Sequence, residues 1–360
     1  MLIFGAPFRY YQGWGILDTM GEVLAPMGKK FLLVGDAFVF EHFGERLDKT
    51  FSSAGLVSVR GLFNGESSDS EIRRLGSVFA EEQCTAVVGV GGGKAADTAK
   101  AVSILHNAPV AIVPTIAASD APVSHIAMIY NDDHSKKRVD HMRYSPWCIF
   151  MDTEIILNAP LRLFISGIGD AVATKFEADA CRASGARNYL QGRQPQTAAA
   201  LCDLCWDIVR RKSLEAIAAV KTGTHNEAFE EVVEATTLLS GLGFENGGLA
   251  AGHAMSSGLT MIPSSHGSTH GETVAFGILT QFMLEKRSQA FIADMLDFFR
   301  AVGLPTTLRQ IGVSLPAERP HVRAMVEKIC TPPNIVFNMP CEITPDILEN
   351  AVYAADALGQ

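Results

Sequence analysis

The chain has 360 residues, a formal net charge of −9 and 48% hydrophobic residues. That length and apolar content suit two domains of ordinary size and argue against disorder, while the negative balance argues against a nucleic-acid partner. The apolar runs are too short to span a bilayer, MLIFGAPFRYYQGWG lacks the basic region and long apolar run of a signal peptide, and the odd count of seven scattered cysteines predicts no disulfide framework and a reducing cytoplasm.

Along the chain, FLLVGD (31–36) reads as a buried strand and 40–55 as a helix. VSVRGLF (57–63) is a second strand, followed by the capped helical pattern DSEIRRLGSVFAEE. TAVVGV (85–90) is a third strand, KAADTAKAVSIL a helix and VAIVPT (110–115) a fourth strand. Strands alternating with helices predict a mostly parallel sheet covered on both faces. HIAMIY (125–130), the polar turn NDDHSKK and RVDHM read as a hairpin, and IFMDTEIIL (149–157) runs up to a break at Asn158-Ala159-Pro160. Beyond 160 the spacing is helical in SGIGDAVATKFEADACRA, TAAALCDLCWDIVRRKSLEAIAAV, FEEVVEATTLLSGLG and QAFIADMLDFFRAV. The expected organisation is an α/β domain over 1–160 and an all-α domain over 161–360. Cys202 and Cys205, in CDLC, sit in a helical run with no second pair, which fits core packing better than a redox or metal role.

GVGGGKAADTAK (89–100) places glycines between a strand and a helix start. Glycine lets the backbone approach an anion closely, and the helix N-terminus offers free N–H groups and a favourable dipole. A tight turn from strand to helix is the competing reading. The ATP-binding Walker pattern fails twice, at Val88 and at Ala95. The Rossmann pattern G-x-G-x-x-G also fails, since the sequence is G-x-G-G-G-K and the candidate ribose acid, Asp36, ends an earlier strand and precedes the glycines instead of following them. The loop still suits a dinucleotide pyrophosphate, and a carboxylate at a strand end favours NAD over NADP. Asp36 also fits a plain turn aspartate.

In the helical half, His253 and His270 each lie in glycine-rich, uncharged surroundings, and SGIGDAVA suggests Asp170 at a helix start. One carboxylate and two imidazoles make a three-ligand set for a catalytic zinc with an open position for substrate. Singly, Asp170 reads as a cap and each histidine as a core residue. Residues 246–272 contain no Lys or Arg, which suits a neutral, hydroxyl-rich substrate better than a phosphorylated or carboxylate one. His266 and His270 have helical spacing, but Pro263, Gly267 and Gly271 argue against a regular helix there, so His266 is a possible contact and not a ligand. Most remaining histidines (42, 106, 125, 134, 141, 225, 321) read as surface residues.

Taken together, GVGGGKAADTAKAV, PTIAASDAPVSHIAMIY, SGIGDAVATKFEA, GGLAAGHA and THGETVAFG make the sequence resemble the iron-containing, metal-dependent alcohol dehydrogenases, and within them the glycerol dehydrogenases, over nearly the whole chain. The resemblance implies a dehydroquinate-synthase-like arrangement of the two domains, and metal ligation by Asp170, His253 and His270. It implies NAD contacts at Asp36, Gly92, Gly93, Lys94, Thr115, Ser124, Ile126 and Tyr130. Asp120 would be the substrate-side carboxylate, with Phe244 and His253 lining the same pocket. It implies zinc-assisted, NAD-dependent oxidation of a small polyol, glycerol to dihydroxyacetone foremost, by a cytoplasmic homo-oligomer, octamers being common among the relatives.

There are departures from the family pattern. Ala118-Ser119 stands where Ser-Thr is usual, His125 where a small or apolar residue is expected, and Thr174 where iron-using relatives carry a fourth, histidine ligand. The last favours zinc over iron. The competing functions are a phosphate-handling relative, of the glycerol-1-phosphate dehydrogenase or dehydroquinate synthase type, and a non-catalytic NAD-binding protein.

Overall fold

The computed structural model describes residues 1–131 and 135–360. Part of the expected turn NDDHSKK, including His134, lies outside them. The chain divides into two compact units, one of Ala6–Ala117 and Ala121–Pro160, the other of Met1–Gly5, Ala118–Asp120 and Leu161–Gln360.

The first unit is α/β. Its elements run β1 (Arg9–Gly13), α1 (Met20–Leu24), β2 (Lys30–Gly35), α2 (Ala37–Ser53), β3 (Val57–Leu62), α3 (Asp69–Glu81) and β4 (Ala86–Gly91). They continue through α4 (Gly93–His106), β5 (Val110–Pro114), β6 (Ile126–Tyr130), β7 (Lys136–His141), β8 (Cys148–Asp152) and α5 (Thr153–Leu157). Among the described residues, six strands form one sheet in the order β1-β8-β5-β4-β2-β3, every neighbouring pair parallel. The inner strands β4, β5 and β8 are buried along their whole length, as a sheet covered on both faces requires. Phe31, Leu33, Val88, Val113 and Phe150 pack on one side with Leu47 and Phe51 of α2. Burial of each such side chain contributes about 1.5–3 kcal/mol. β6 and β7 pair as an antiparallel hairpin.

Two features go beyond the sequence reading. β1 is an edge strand paired with β8, the last strand of the unit, in a register that sets Arg9 against Cys148, so nothing local marks it. IFMDTEIIL is a strand and then a helix, because the Asp152 carboxylate accepts the backbone N–H of Glu154 and caps α5.

Lys100 of α4 is fully buried. Its Nζ donates to the carbonyl oxygens of Ala121 (2.5 Å) and Ile126 (3.0 Å) and to Ser124 Oγ (3.4 Å), with Asp97 Oδ1 at 3.8 Å. A buried ammonium is tolerated only when paired and hydrogen-bonded in this way, and here it fastens segment 121–126 to α4.

The second unit contains α6 (Leu161–Ser184), α7 (Gln196–Thr222), α8 (Glu227–Glu234), a π-helical turn (Ala235–Leu239) and α9 (Ser240–Gly247). α10 (Ala251–Leu259), α11 (His270–Leu284), α12 (Gln289–Val302), α13 (Arg319–Ile329) and α14 (Pro345–Gly359) complete it. No named strand follows β8 among the described residues. Asp170 is not at a helix start, as the sequence suggested, but inside α6. The two preceding glycines do not begin the helix. Gly169 is there because the backbone of α11 crosses so closely that a Cβ would lie 2.5 Å from Gly271 O.

α11 begins at His270 with a capping box. Thr269 Oγ1 accepts from Glu272 N, and Glu272 Oε2 accepts from Thr269 N at 2.7 Å. His266 belongs to a separate short 3-10 turn, Pro263–Gly267, so the two histidines share no helix. Cys202 and Cys205 are buried free thiols on α7, Cys205 Sγ donating to Ala235 O at 3.3 Å. Among the described residues, no helix is long and apolar enough to cross a membrane.

Lys100→Met removes the cation but leaves Asp97 and two carbonyls buried. The variant is expected to lose about 3 kcal/mol of stability, seen as a lower urea midpoint at unchanged slope.

Candidate active site

In the helical unit, three side chains converge. Asp170 Oδ1 lies 3.1 Å from His253 Nε2 and 3.2 Å from His270 Nε2. One potential ligand atom from each residue falls within 4.8 Å of the others. Asp170 is fully buried and His253 nearly so, whereas the His270 side chain is 48% exposed. One carboxylate oxygen and two imidazole nitrogens form a donor set that fits a divalent cation of the zinc type, and the exposed His270 edge leaves a side open.

The second Asp170 oxygen accepts the backbone N–H of Asp120 at 3.1 Å. Asp120 Oδ2 in turn accepts from Ser240 Oγ at 2.8 Å, and Thr174 Oγ1 lies 2.7 Å from Ser240 Oγ. Because the Ser240 hydrogen goes to the carboxylate, Thr174 is the donor to Ser240. Two carboxyls of opposite character therefore stand side by side. Burial, and then the charge of Asp170, push Asp120 well above the ordinary carboxylate range. Burial also disfavours a charged Asp170, but the field of His270 and hydrogen bonds from both imidazoles outweigh it and hold Asp170 well below that range. For His253, burial opposes the charged form, and Glu177 and Asp170 overcome it, raising the imidazole.

Glu177 was not singled out in the sequence. It is fully buried on α6, two turns beyond Asp170 along the same face. Its Oε2 lies 2.5 Å from His253 Nδ1, and its Oε1 accepts from the backbone N–H groups of Ala250 (2.8 Å) and His253 (2.9 Å). The spacing of two carboxylates in DAVATKFE was the available signal. Phe244, on α9, is buried edge-on against Tyr189 with ring centroids 5.6 Å apart. His266 is exposed, its Nε2 2.8 Å from Thr260 O, and it is absent from the three-residue cluster.

The remaining predicted residues belong to the α/β unit. β2 and β4 are adjacent, so Asp36, which follows β2, and the glycines that end β4 emerge at the same edge of the sheet. Between these strands the sheet order reverses, with β3 beyond β2 on one side and β5 beyond β4 on the other. That is the topological switch point at which open α/β sheets bind ligands. Asp36 is exposed and also caps α2, its Oδ1 accepting from Val39 N at 2.9 Å. Both readings of this residue are therefore compatible.

Gly91 has φ +143, a conformation only glycine adopts readily, and Gly92 is the cap residue before α4, which opens with Gly93 and Lys94. Lys94 Nζ pairs with Glu66 Oε2 at 2.7 Å and lies 5.6 Å from the Tyr130 ring centroid. Thr115 N donates to Gly91 O at 3.1 Å, tying the next strand end to the loop. Ser124 Oγ donates to Ala121 O at 3.2 Å, and Ile126 and Tyr130 open and close β6. Burial, reinforced by Asp97 and Glu66, pushes the Tyr130 phenol up to about 12. The unusual His125 is buried, not on the surface, with Nε2 3.2 Å from His141 Nδ1.

Comparison with known proteins agrees with this architecture. The iron-containing alcohol dehydrogenase family model matches residues 7–153. A glycerol dehydrogenase from Escherichia coli is 42% identical over 99% of this chain and 97% of its own. A glycolaldehyde reductase from Halobacterium salinarum is 37% identical over 99% of this chain and 98% of its own. The crystal structure of a probable glycerol dehydrogenase from Sinorhizobium meliloti 1021 superposes with a TM-score of 0.95 at 38% identity, covering 100% of this chain and 99% of that one. The chain belongs to the iron-containing alcohol dehydrogenase family. Within that family it is an alcohol dehydrogenase of the glycerol dehydrogenase type.

If Asp170, His253 and His270 are the ligands, Asp170→Asn, His253→Ala and His270→Ala will each weaken Zn2+ uptake by more than about 100-fold, beyond what loss of an outer partner costs. Competition with a chromophoric chelator measures this.

Proposed function

We propose that the chain oxidises a small neutral polyol, glycerol to dihydroxyacetone foremost, with NAD as hydride acceptor and Zn2+ as the resident cation. The observation that carries this reading is the convergence of Asp170, His253 and His270 beside the buried Asp120 carboxyl. A divalent cation held by the three side chains would supply Lewis acidity that lowers the pKa of an alcohol hydroxyl by several units, while the dinucleotide accepts hydride.

The chain's own residues supply position and charge. Asp120, fixed by Ser240 and through it Thr174, presents a carboxyl that can hydrogen-bond a neighbouring polyol hydroxyl. Asp36, Gly92, Gly93, Lys94, Thr115, Ser124, Ile126 and Tyr130 hold the dinucleotide in this reading, with pyrophosphate at the start of α4 and ribose at Asp36. In the balanced reaction the carbinol C–H leaves as hydride to the nicotinamide and the O–H proton is released to solvent. The absence of Lys and Arg from residues 246–272 supports a neutral substrate over a phosphorylated one. Cytoplasmic location and a homo-oligomeric state belong to the same reading, the former supported by seven free thiols.

The test is NADH formation, followed by its absorbance, with glycerol, propane-1,2-diol, butane-2,3-diol and glycerol 1-phosphate, together with glycolaldehyde reduction. Glycerol is expected to exceed its phosphate in kcat/KM by at least about 100-fold, because residues 246–272 offer a dianion no cationic side chain. EDTA treatment is expected to abolish turnover and Zn2+ to restore it. Full activity after verified metal removal, or a preference for the phosphate, overturns the proposal. The Halobacterium relative makes glycolaldehyde the informative second substrate. If it is reduced far faster than dihydroxyacetone, the preferred substrate is a two-carbon hydroxyaldehyde.

Cofactor choice has its own test. Asp36→Ala is expected to raise the KM for NAD by roughly 10-fold through loss of the ribose hydrogen bonds, and to narrow the preference over NADP by removing a repelling charge.

A further inference from the structure

Glu177 is neither a candidate metal ligand nor a proposed substrate contact, yet it is built firmly into the site. Its side chain is fully buried. Three donors face it: His253 Nδ1 at 2.5 Å, His253 N at 2.9 Å and Ala250 N at 2.8 Å. The first turn of α10 is shaped around it, since a Cβ at Gly252 would stand 3.1 Å from Glu177 Cδ and 3.2 and 3.3 Å from its two oxygens.

We infer that Glu177 is a positioning residue that fixes the His253 ring as the Nδ1–H tautomer, so that Nε2 is the nitrogen offered to the cation beside Asp170. This rests on the metal-centre reading above. A carboxylate has no proton to give, so Nδ1 must be the donor to Glu177; Nε2 faces the Asp170 carboxylate, and a cation held there would replace any proton on Nε2 and meet its lone pair. By accepting the two backbone N–H groups as well, the same carboxylate locks the ring to the start of its own helix. Side chain and backbone of His253 cannot rotate independently.

A purely structural role, capping α10, makes a different prediction. Glu177→Gln separates the two because it is isosteric. The Gln oxygen must face Ala250 N and His253 N, both donors, so its NH2 must face Nδ1. That NH2 is also a donor, so Nδ1 becomes the acceptor and Nε2 takes the proton, losing the lone pair a cation needs. A cap would survive this change, whereas a metal-presenting imidazole would not.

The experiment titrates metal-loaded protein and its E177Q variant with a chromophoric chelator, and compares their Co2+-substituted visible spectra and the melting temperatures of the metal-free forms. The expected result is a loss of about 10- to 100-fold in Zn2+ affinity and an altered Co2+ spectrum, with the metal-free melting temperature little changed. Gly252 gives a second, opposed test should E177Q not fold. Gly252→Ala improves helix propensity in α10 but presses a methyl group on the Glu177 carboxylate, so it is expected to weaken Zn2+ binding several-fold without destabilising the metal-free fold. Zn2+ affinity in the variants within about threefold of the parent overturns the inference and leaves the metal centre standing. Failure of the parent itself to bind Zn2+ overturns the metal centre, and this inference with it.

Discussion

Backbone-to-backbone contact at glycines is the constraint on which the helical unit depends. Each candidate ligand is adjacent in sequence to one of them: Gly169 before Asp170, Gly252 before His253, Gly271 after His270. A Cβ at Gly271 would sit 1.7 Å from Ser166 O, and one at Gly169 would sit 2.5 Å from Gly271 O, so α6 and α11 touch with no side chain between them. α10 and α11 make a similar approach, a Cβ at Gly277 lying 2.2 Å from Gly252 O. Helices separated by ordinary side chains stand roughly 8–10 Å apart. At that separation, two imidazoles and one short carboxylate from three different helices would struggle to meet around a single ion. The glycines are therefore part of the site's geometry, though they carry no functional group.

In the α/β unit the equivalent constraint is topological. Asp36 and the glycine loop are separated in sequence by α2, β3, α3 and β4, which defeats any motif built on local spacing. Strand order removes the difficulty, because β2 and β4 are hydrogen-bonded neighbours and both residues follow strand ends on one edge. A parallel sheet with one reversal in winding brings such pairs together without regard to their separation along the chain. Thr115 joins them for the same reason, its N–H bonded to Gly91 O across β4 and β5.

Sequence reading succeeded where the signal was local and failed where it was not. Continuous apolar runs marked β2, β4 and β5, since buried parallel strands are apolar on both faces, and the helical spacing between them marked their helices. β1 was invisible because its residues, RYYQG, acquire strand character only by pairing with β8. Asp170 was legible as a ligand candidate but misplaced within its helix. A glycine pair before an aspartate looks like a helix start, and only the crossing of α11 shows that Gly169 makes room for a second backbone. Glu177 was missed because its chemistry depends on a partner on another helix, though its two-turn spacing from Asp170 was in plain view. The three candidate ligands were easier to single out because glycine, histidine and uncharged neighbours are an uncommon combination.

Position 174 shows how packing can limit the chemistry open to a site. In iron-using relatives the resemblance places a fourth, histidine ligand there. Here the Thr174 hydroxyl donates to Ser240, whose own hydrogen goes to Asp120. Ser240 follows directly on the π-helical turn Ala235–Leu239, a local widening of the kind often found at functional sites. The space beside Thr174 is already taken, since a Cβ at Gly243 would lie 2.4 Å from Thr174 Cγ2. An imidazole at 174 would therefore need α9 to retreat, and with it the serine that holds Asp120. A fourth protein ligand and a fixed Asp120 carboxyl compete for the same contact between α6 and α9. In this chain that contact is filled by the hydrogen-bonded chain from Thr174 through Ser240 to Asp120, which leaves Asp170, His253 and His270 as the candidate ligands.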